Sequence, residues 1–493
     1  MIEAYAVSDV RAIEAEAMGH LPEGTLMQRA AEGVASVAAA RLGERGGSRV
    51  VALVGSGDNG GDALYAAARL AADFEVRVVL VGEKAHEAGL EAARSAGVDV
   101  ILSRRGPVEA MGEADLVIDG ILGIGGRPGL RDPAEQLVEA IPDTAYVLAV
   151  DLPSGADPAG EQSATNAVFA DETVTLGVAK PVHLLPATEP AVGRLTVIDI
   201  GLDAALAAVA PTPAVQRLTT DDVADLWPVP GPADDKYSRG VLGVVAGGEG
   251  YTGAPVMCVT AAVEAGAGMV RYVGPPTPTA LLRAAVPEAV FGEGRVQAWV
   301  VGPGLEAGDD SDDGQAQVRA ARWALASGRP CLVDAGGLDL FEEADLPLPS
   351  PALLTPHAGE LARLVSRLGD QGEVSREEVA AAPLRYARQV ADRTGATVLL
   401  KGSTTLVVPP TSSGLPVRSQ CDAPPWLATA GAGDVLAGLA GTLLASGLDL
   451  LDTGSLAALV HGLAGAAARP GGPVRATGVA HAIPAVVADL LRR

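Results

Sequence analysis

The chain has 493 residues, 48% hydrophobic and 20% charged, with 36 Lys+Arg against 61 Asp+Glu for a formal net charge of −25. That composition allows a sizeable core and argues against wholesale disorder; at roughly 150 residues per domain it implies two large domains or about three smaller ones. So negative a charge also argues against non-specific binding to nucleic acid or an anionic membrane, though not against a phosphate ligand held by local backbone donors.

The N-terminal MIEAYAVSDVRAIEAEAMGH is acidic and has no basic-then-apolar signal pattern. Helical spacing follows in Leu26, Met27, Ala30, Val34, Val37 and Ala38. A buried strand is predicted at 49–55, then a glycine loop, then a helix over 62–72. Further apolar runs at 76–82, 98–102, 114–120, 145–151, 172–177 and 195–201 read as strands separated by helices. This is βα alternation around a largely parallel sheet with helices on both faces. The Pro/Ala-rich, acidic stretch 204–235 interrupts it and divides the chain into domains 1–211 and 212–493. Alternation restarts with strands at 240–248, 268–274, 298–304, 330–337, 351–360, 397–403 and 404–409 and a helix over 253–267. Long Ala/Gly-rich helices over 433–447 and 455–468 close the second domain, and the segments 306–314 and 409–420 read as exposed loops. The fold class is α/β, each domain a mainly parallel sheet with helices on both faces.

Cys258, Cys331 and Cys421 are too few and too scattered for a disulfide framework or a zinc site. The apolar stretch 435–448 falls short of the about 18 residues that a membrane span needs. A reduced, cytoplasmic setting is expected, with no membrane or nucleic-acid partner. Lysine is nearly absent, which singles out Lys84, Lys180, Lys236 and Lys401.

Three loops at strand ends carry the first constellation. GSGDNGGD (55–62) joins a strand to a helix, where glycines let backbone N–H groups approach an anion and the helix terminus favours negative charge. DGILGIGGRPG (119–129) and DLPSG (151–155) follow two other strands and converge on the same crevice. Asn59, Asp119 and Ser154 offer hard oxygen ligands for a monovalent cation, and Asp151 an acid or base. The second constellation is ATAGAGDVLAG (428–438): small residues before an apolar helix make a phosphoryl-sized anion hole, and Asp434 in the first turn is placed to take a hydroxyl proton. LLKGSTT (399–405) is suited to a nucleotide phosphate or ribose, and His357 lies between a strand and a helix.

With LMQRAA (26–31), the three loops and TVTLGVAKP (173–181), the first half resembles the NAD(P)H-hydrate epimerases. The resemblance implies a Rossmann-like fold. It implies that Asp58, Asn59, Gly60, Gly61 and Asp62, then Gly123, Ile124, Gly125, Gly126, Arg127, Pro128 and Gly129, together with Asp151, bind the hydrated cofactor. Potassium would sit on Asn59, Asp119 and Ser154. Asp58, Ala63 and Ile124 stand where that family usually has Asn, Gly and Thr. With KYSRGVLGVVAGG (236–248), YTGAPVM (251–257), LTPHAGEL (354–361), KGSTT and GAGDVLAG, the second half resembles the ribokinase-like ADP/ATP-dependent NAD(P)H-hydrate dehydratases. There Ala254, Gly304, His357 and Asp434 would contact the hydrate, and Lys401, Gly402, Ser403, Thr404, Thr405 and Gly433 the nucleotide. GPGLEAG and DAGGL replace the usual GPGLG and DADAL. The resemblance implies NADHX and NADPHX as substrates and ADP or ATP as co-substrate, with the bacterial fused forms favouring ADP; phosphoryl transfer usually requires Mg2+ on the phosphates, and a homo-oligomer is expected. Both catalytic roles, Asp434 and Asp151, follow. The alternative is a ribokinase-like kinase for a vitamin-precursor alcohol, fused to a non-catalytic N-terminal binding module.

Overall fold

The computed structural model describes residues 1–103, 106–342, 346–369 and 372–492. They form two compact units: Glu3–Val215, and Gln216–Arg493 joined by Met1–Ile2.

In the first unit seven strands run in the order Asp99–Leu102, Glu75–Leu80, Arg49–Val54, Leu116–Gly120, Tyr146–Val150, Glu172–Leu176 and Arg194–Ile198, all pairs parallel. Successive side chains of a strand point to opposite faces. Val50, Ala52 and Val54 accordingly enter one core and Val51 and Leu53 another, so both faces are buried. That double burial is why these strands read as unbroken apolar runs rather than alternating ones. Arg49–Val54 has Leu116–Gly120 on one side and Glu75–Leu80 on the other, so chain order reverses direction there. Such a switch point opens a crevice beyond the strand C-termini.

The second unit's sheet has eleven strands; from Val417–Gln420 inward they run Thr405–Val408, Thr397–Leu400, Ala352–Leu354, Cys331–Val333, Ala298–Val301, Val241–Val245, Met269–Val273 and Val290–Phe291. The pairs are parallel except at the two antiparallel ladders that Thr405–Val408 makes. Helices Gly253–Glu264, Ala432–Ala445, Leu450–Ala468 and Ala476–Leu490 pack on one face, contributing Val259, Val435, Leu456 and Ile483 to a common core with Leu242, Val300, Leu353 and Val407. Leu450–Ala468 is long and apolar enough to cross a membrane, and 67% of its apolar window is buried inside the structure.

Two expectations need correction. The segment 409–420 is not all exposed loop: Val417–Gln420 is a fully buried strand. Its polar residues hide because they are satisfied, Gln420 exchanging hydrogen bonds with the Leu218 backbone (2.8 and 3.2 Å) and Arg418 pairing with Asp452. The domain also closes with a third helix, Ala476–Leu490, which tolerates Pro484 within it.

Candidate active sites

In the first unit, a cleft of about 420 Å³ lies over the switch point, lined by Ser56–Asn59, Asp62, Ile121–Gly126 and Asp151, with Arg11 and Glu14 from helix Val7–Met18. The three predicted loops therefore meet. Not every glycine of the loop faces the ligand space. Gly60 is packed so that a Cβ would stand 2.2 Å from the Gly55 carbonyl oxygen, and Gly61 is packed against Met27 and His86. These two glycines allow strand and helix to approach closely, while Gly57, Asp58 and Asn59 form the rim. Asp58 is exposed at this rim. Ile124 packs on Tyr5, Val10 and Leu152 and so anchors its loop to apolar surface. Arg127 and Pro128 are exposed beyond the cleft lining, and Gly129 turns toward Gly155, donating its N–H to that carbonyl at 2.8 Å.

Behind the cleft wall, Asp119 is fully buried. It accepts from the Ser154 hydroxyl at 2.6 Å and the Ser154 N–H at 2.8 Å, yet no cation pairs with it among the described residues. Burial pushes its carboxyl up to about 6, against the pull of the Ser154 bonds. The Ser154 hydroxyl lies 3.2 Å from the Leu122 carbonyl, to which Asn59 donates from Nδ2 at 3.1 Å. A buried, uncompensated carboxylate ringed by hydroxyl, amide and carbonyl oxygens is a donor set suited to a hard cation.

Asp151 sits at the end of Tyr146–Val150 with φ of 65°, a left-handed backbone that a non-glycine residue adopts at a cost of about 1–3 kcal/mol. Its carboxylate accepts from Lys180 Nζ, and Lys180 also donates to Thr175 Oγ1 at 3.0 Å. Lys180 is 1% exposed. His183 fixes the backbone of the pair: its Nδ1 accepts from Lys180 N at 3.0 Å, so Nε2 carries the proton donated to the Asp151 carbonyl at 2.7 Å. Burial, with the Lys180 charge, lowers the His183 imidazole to about 4 and keeps it neutral. Lys180 was absent from the predicted site; its rarity in this composition and its place in VAKP were the available signals.

In the second unit the site also lies at strand C-termini. Gly431, at φ of 88°, starts helix Ala432–Ala445, and Asp434 lies in its first turn. A Cβ at Gly431 would stand 2.3 Å from Met257 Sδ, so only glycine admits this turn. Lys401 Nζ bonds Asp334 Oδ1 at 2.6 Å and lies 3.6 Å from Glu360 Oε2. This cluster borders Gly433, whose Cβ position is 3.6 Å from Lys401 Nζ and 3.7 Å from Asp334 Oδ2. Burial would lower the Lys401 ammonium, but Asp334 and Glu360 outweigh it and raise it. Burial, with the Asp334 charge, pushes the Asp434 carboxyl up to about 7, Lys401 opposing. His357 caps helix Ala358–Leu368, its Nδ1 accepting from Gly359 and Glu360 N–H at 3.0 and 3.2 Å, and its backbone pairs in parallel with that of Lys401. Gly304 lies on Ala254, a Cβ there falling 2.8 Å from the Ala254 Cβ. Gly402 and Ser403 are exposed, Thr404 is buried, and Thr405 opens the next strand. Asp334 and Glu360 were not predicted as site residues; the strand-end VDAGG and the His-x-x-Glu capping box pointed to them.

A family model described as NAD(P)H-hydrate dehydratase matches residues 242–484, and one described as YjeF-related protein N-terminus matches residues 23–182. A curated bifunctional NAD(P)H-hydrate repair enzyme from Mycobacterium tuberculosis is 44% identical over 462 residues, covering 90% of this chain and 89% of that protein. The chain belongs to the bifunctional NAD(P)H-hydrate repair enzyme family. The relative from Mycobacterium leprae is 43% identical, covering 95% of this chain and 94% of its own. An ADP/ATP-dependent NAD(P)H-hydrate dehydratase from Bacillus subtilis, crystallised with ATP and Mg2+, superimposes with a TM-score of 0.47 at 22% identity over 56% of this chain and 99% of its own.

Proposed function

We infer that the chain repairs hydrated NADH and NADPH, the first unit interconverting the R and S hydrates and the second dehydrating the S hydrate at the expense of ADP or ATP. Family membership selects this over the kinase that the second set of motifs alone left open. The observation carrying the chemistry is the Asp434 carboxyl, raised to about 7, at a positively polarised helix terminus beside Gly433 and the Lys401–Asp334 pair.

The hydrate carries a hydroxyl on the carbon next to the ring nitrogen, and hydroxide is a poor leaving group. Asp434 takes that hydroxyl's proton while the oxygen attacks the terminal phosphoryl of the nucleotide. A base poised near neutrality is best matched to such a transfer. Backbone N–H groups around Gly431–Gly433 stabilise the moving charge, a donor of this kind being worth about 3 kcal/mol. The Lys401 ammonium adds positive charge, and 402–405 supplies further N–H and hydroxyl donors. The ring nitrogen lone pair then expels phosphate, and a proton leaves to restore the reduced ring. Magnesium would travel on the phosphates and neutralise them; no cluster of three or more His, Cys, Asp or Glu able to hold a metal occurs among the described residues, which suits an ion carried by the nucleotide.

In the first unit, Asn59, Asp119 and Ser154, with the Leu122 carbonyl, would hold potassium, which when bound compensates the buried carboxylate and braces the loops. Gly57–Asn59 and Gly123–Gly126 receive the dinucleotide phosphates, and Asp151 acts on the reacting carbon. We place the functional division at 1–211 and 212–493, with ADP as the nucleotide, in a cytoplasmic homo-oligomer. Asp434→Asn tests the central role: repair falls by about 10²–10⁴ while nucleotide binding persists. Near-normal turnover in that variant would refute it.

A further inference from the structure

We propose that Asp62 is the proton donor of the first unit's site and Asp151 its ionised partner, positioned by the buried Lys180; this rests on the epimerase function inferred above. Four carboxyls face the cleft: Glu14 from helix Val7–Met18, Asp58 and Asp62 from helix Asp58–Leu70, and Asp151 from its strand end. Two cations face them, Lys180 and Arg11. The four are not equivalent. Asp58 is exposed, so water solvates its charge; Glu14 is partly buried and its carboxyl is also raised, by burial first, with Lys180 and Arg11 opposing. Asp151 holds the Lys180 ammonium, with the Thr175 hydroxyl and the Leu176 N–H each 3.4 Å from the same oxygen. Asp62 is 7% exposed, lines the cleft, and has no hydrogen-bond donor among the described residues. Carboxyls that share one site cannot all ionise, and the least compensated keeps its proton. Burial first, then the Asp151, Asp58 and Glu14 charges, drives the Asp62 carboxyl well up, with Lys180 opposing.

The division assigns the steps. The Asp62 carboxyl gives its proton to the hydrate's hydroxyl oxygen, and the carbon–oxygen bond breaks as the ring nitrogen lone pair forms the carbon–nitrogen double bond. Water departs, leaving an iminium cation beside the Asp151 carboxylate and an ionised Asp62. Water then adds to the opposite face, the double-bond electrons return to nitrogen, and the proton that the added water releases passes through water in the cleft to restore the Asp62 carboxyl. Atoms and charge balance, and no oxidant or nucleotide is consumed. Asp151 is fixed for this task by its left-handed backbone and by the His183 bond to its carbonyl.

The test uses the full chain without nucleotide, so that the second unit is silent, and follows exchange between R and S hydrates by magnetic-exchange NMR. Asp62→Asn is expected to slow exchange by about 100-fold while still binding the hydrate mixture in calorimetry. Wild-type exchange should fall at alkaline pH, as Asp62 loses its proton, and Asp62→Asn should lack that limb. The variant should melt at or above the wild-type temperature, because a neutral amide replaces an acid that is costly to ionise there. Exchange within about threefold of wild type, or an unchanged alkaline limb, would overturn the assignment. If the wild-type chain itself fails to exceed the protein-free rate, the epimerase reading falls instead, and the assignment with it.

Discussion

At the scale of single residues, the second unit's chemistry turns on the Asp434 proton. A carboxyl raised to about 7 works as a base only when ionised, so dehydration should rise with pH through about 7 and level above it. A rate that is flat across that range would argue that another group takes the proton. The same shift has a stability consequence. The folded carboxyl binds its proton more tightly than the unfolded one, whose value is near 3.8, so the folded state holds more protons between the two. Stability is therefore full below about 4 and declines as pH rises through about 7. Asp434→Asn should remove that decline and raise the melting temperature at pH 8, the trade of stability for function expected at a working site. A melting temperature lowered at pH 8 would contradict the burial cost. Asp434 was legible in the sequence because GAGD before an apolar helix states both the anion hole and the base. For Lys180, Asp334 and Glu360 the sequence offered a position but not a role, because their roles come from partners 29, 67 and 41 residues away in the chain, respectively Asp151, Lys401 and again Lys401, which only the fold brings together.

At the scale of elements, the phosphate cradle depends on how helix Ala432–Ala445 begins. Gly431 supplies the left-handed turn, and its missing side chain leaves room for Met257 on helix Gly253–Glu264. Gly431→Ala should cost about 1–3 kcal/mol by backbone strain and overpacking, raising the nucleotide KM and lowering the melting temperature of the second unit but not that of the first. Calorimetry showing two transitions, with only one shifted, would check this; an unchanged KM would mean that the turn does not shape the cradle. The strands of both sheets were legible because burial on both faces makes them continuous apolar runs. Val417–Gln420 escaped because Arg418, Ser419 and Gln420 are polar and yet buried, their hydrogen bonds to Leu218, Arg217 and Asp452 replacing those to water. Ala476–Leu490 escaped because Pro484 reads as a helix breaker, whereas core contacts of Val479, Ile483 and Val487 carry the helix past it.

At the scale of the whole molecule, both sites lie where parallel strands end, and that placement followed from the alternation alone. The cation expected in the first unit ties one of them to stability. Without a counter-ion, burial raises Asp119 to about 6, so the protein loses stability as pH rises from about 4 through that value. Potassium should reverse the loss, raising the melting temperature more at pH 7.5 than at pH 5, and Asp119→Asn should abolish the response. An equal gain at both values would place the ion elsewhere. The pairing of two activities in one chain is tested most directly by giving the intact protein a mixture of R and S hydrates with ADP, and separately with ATP, and following reduced-nicotinamide absorbance together with phosphate release. The account predicts that the whole mixture, not the S fraction alone, returns to NADH or NADPH with equimolar phosphate. A stable phosphorylated product without recovery of the reduced ring, or recovery that stops once the S hydrate is spent, would contradict it.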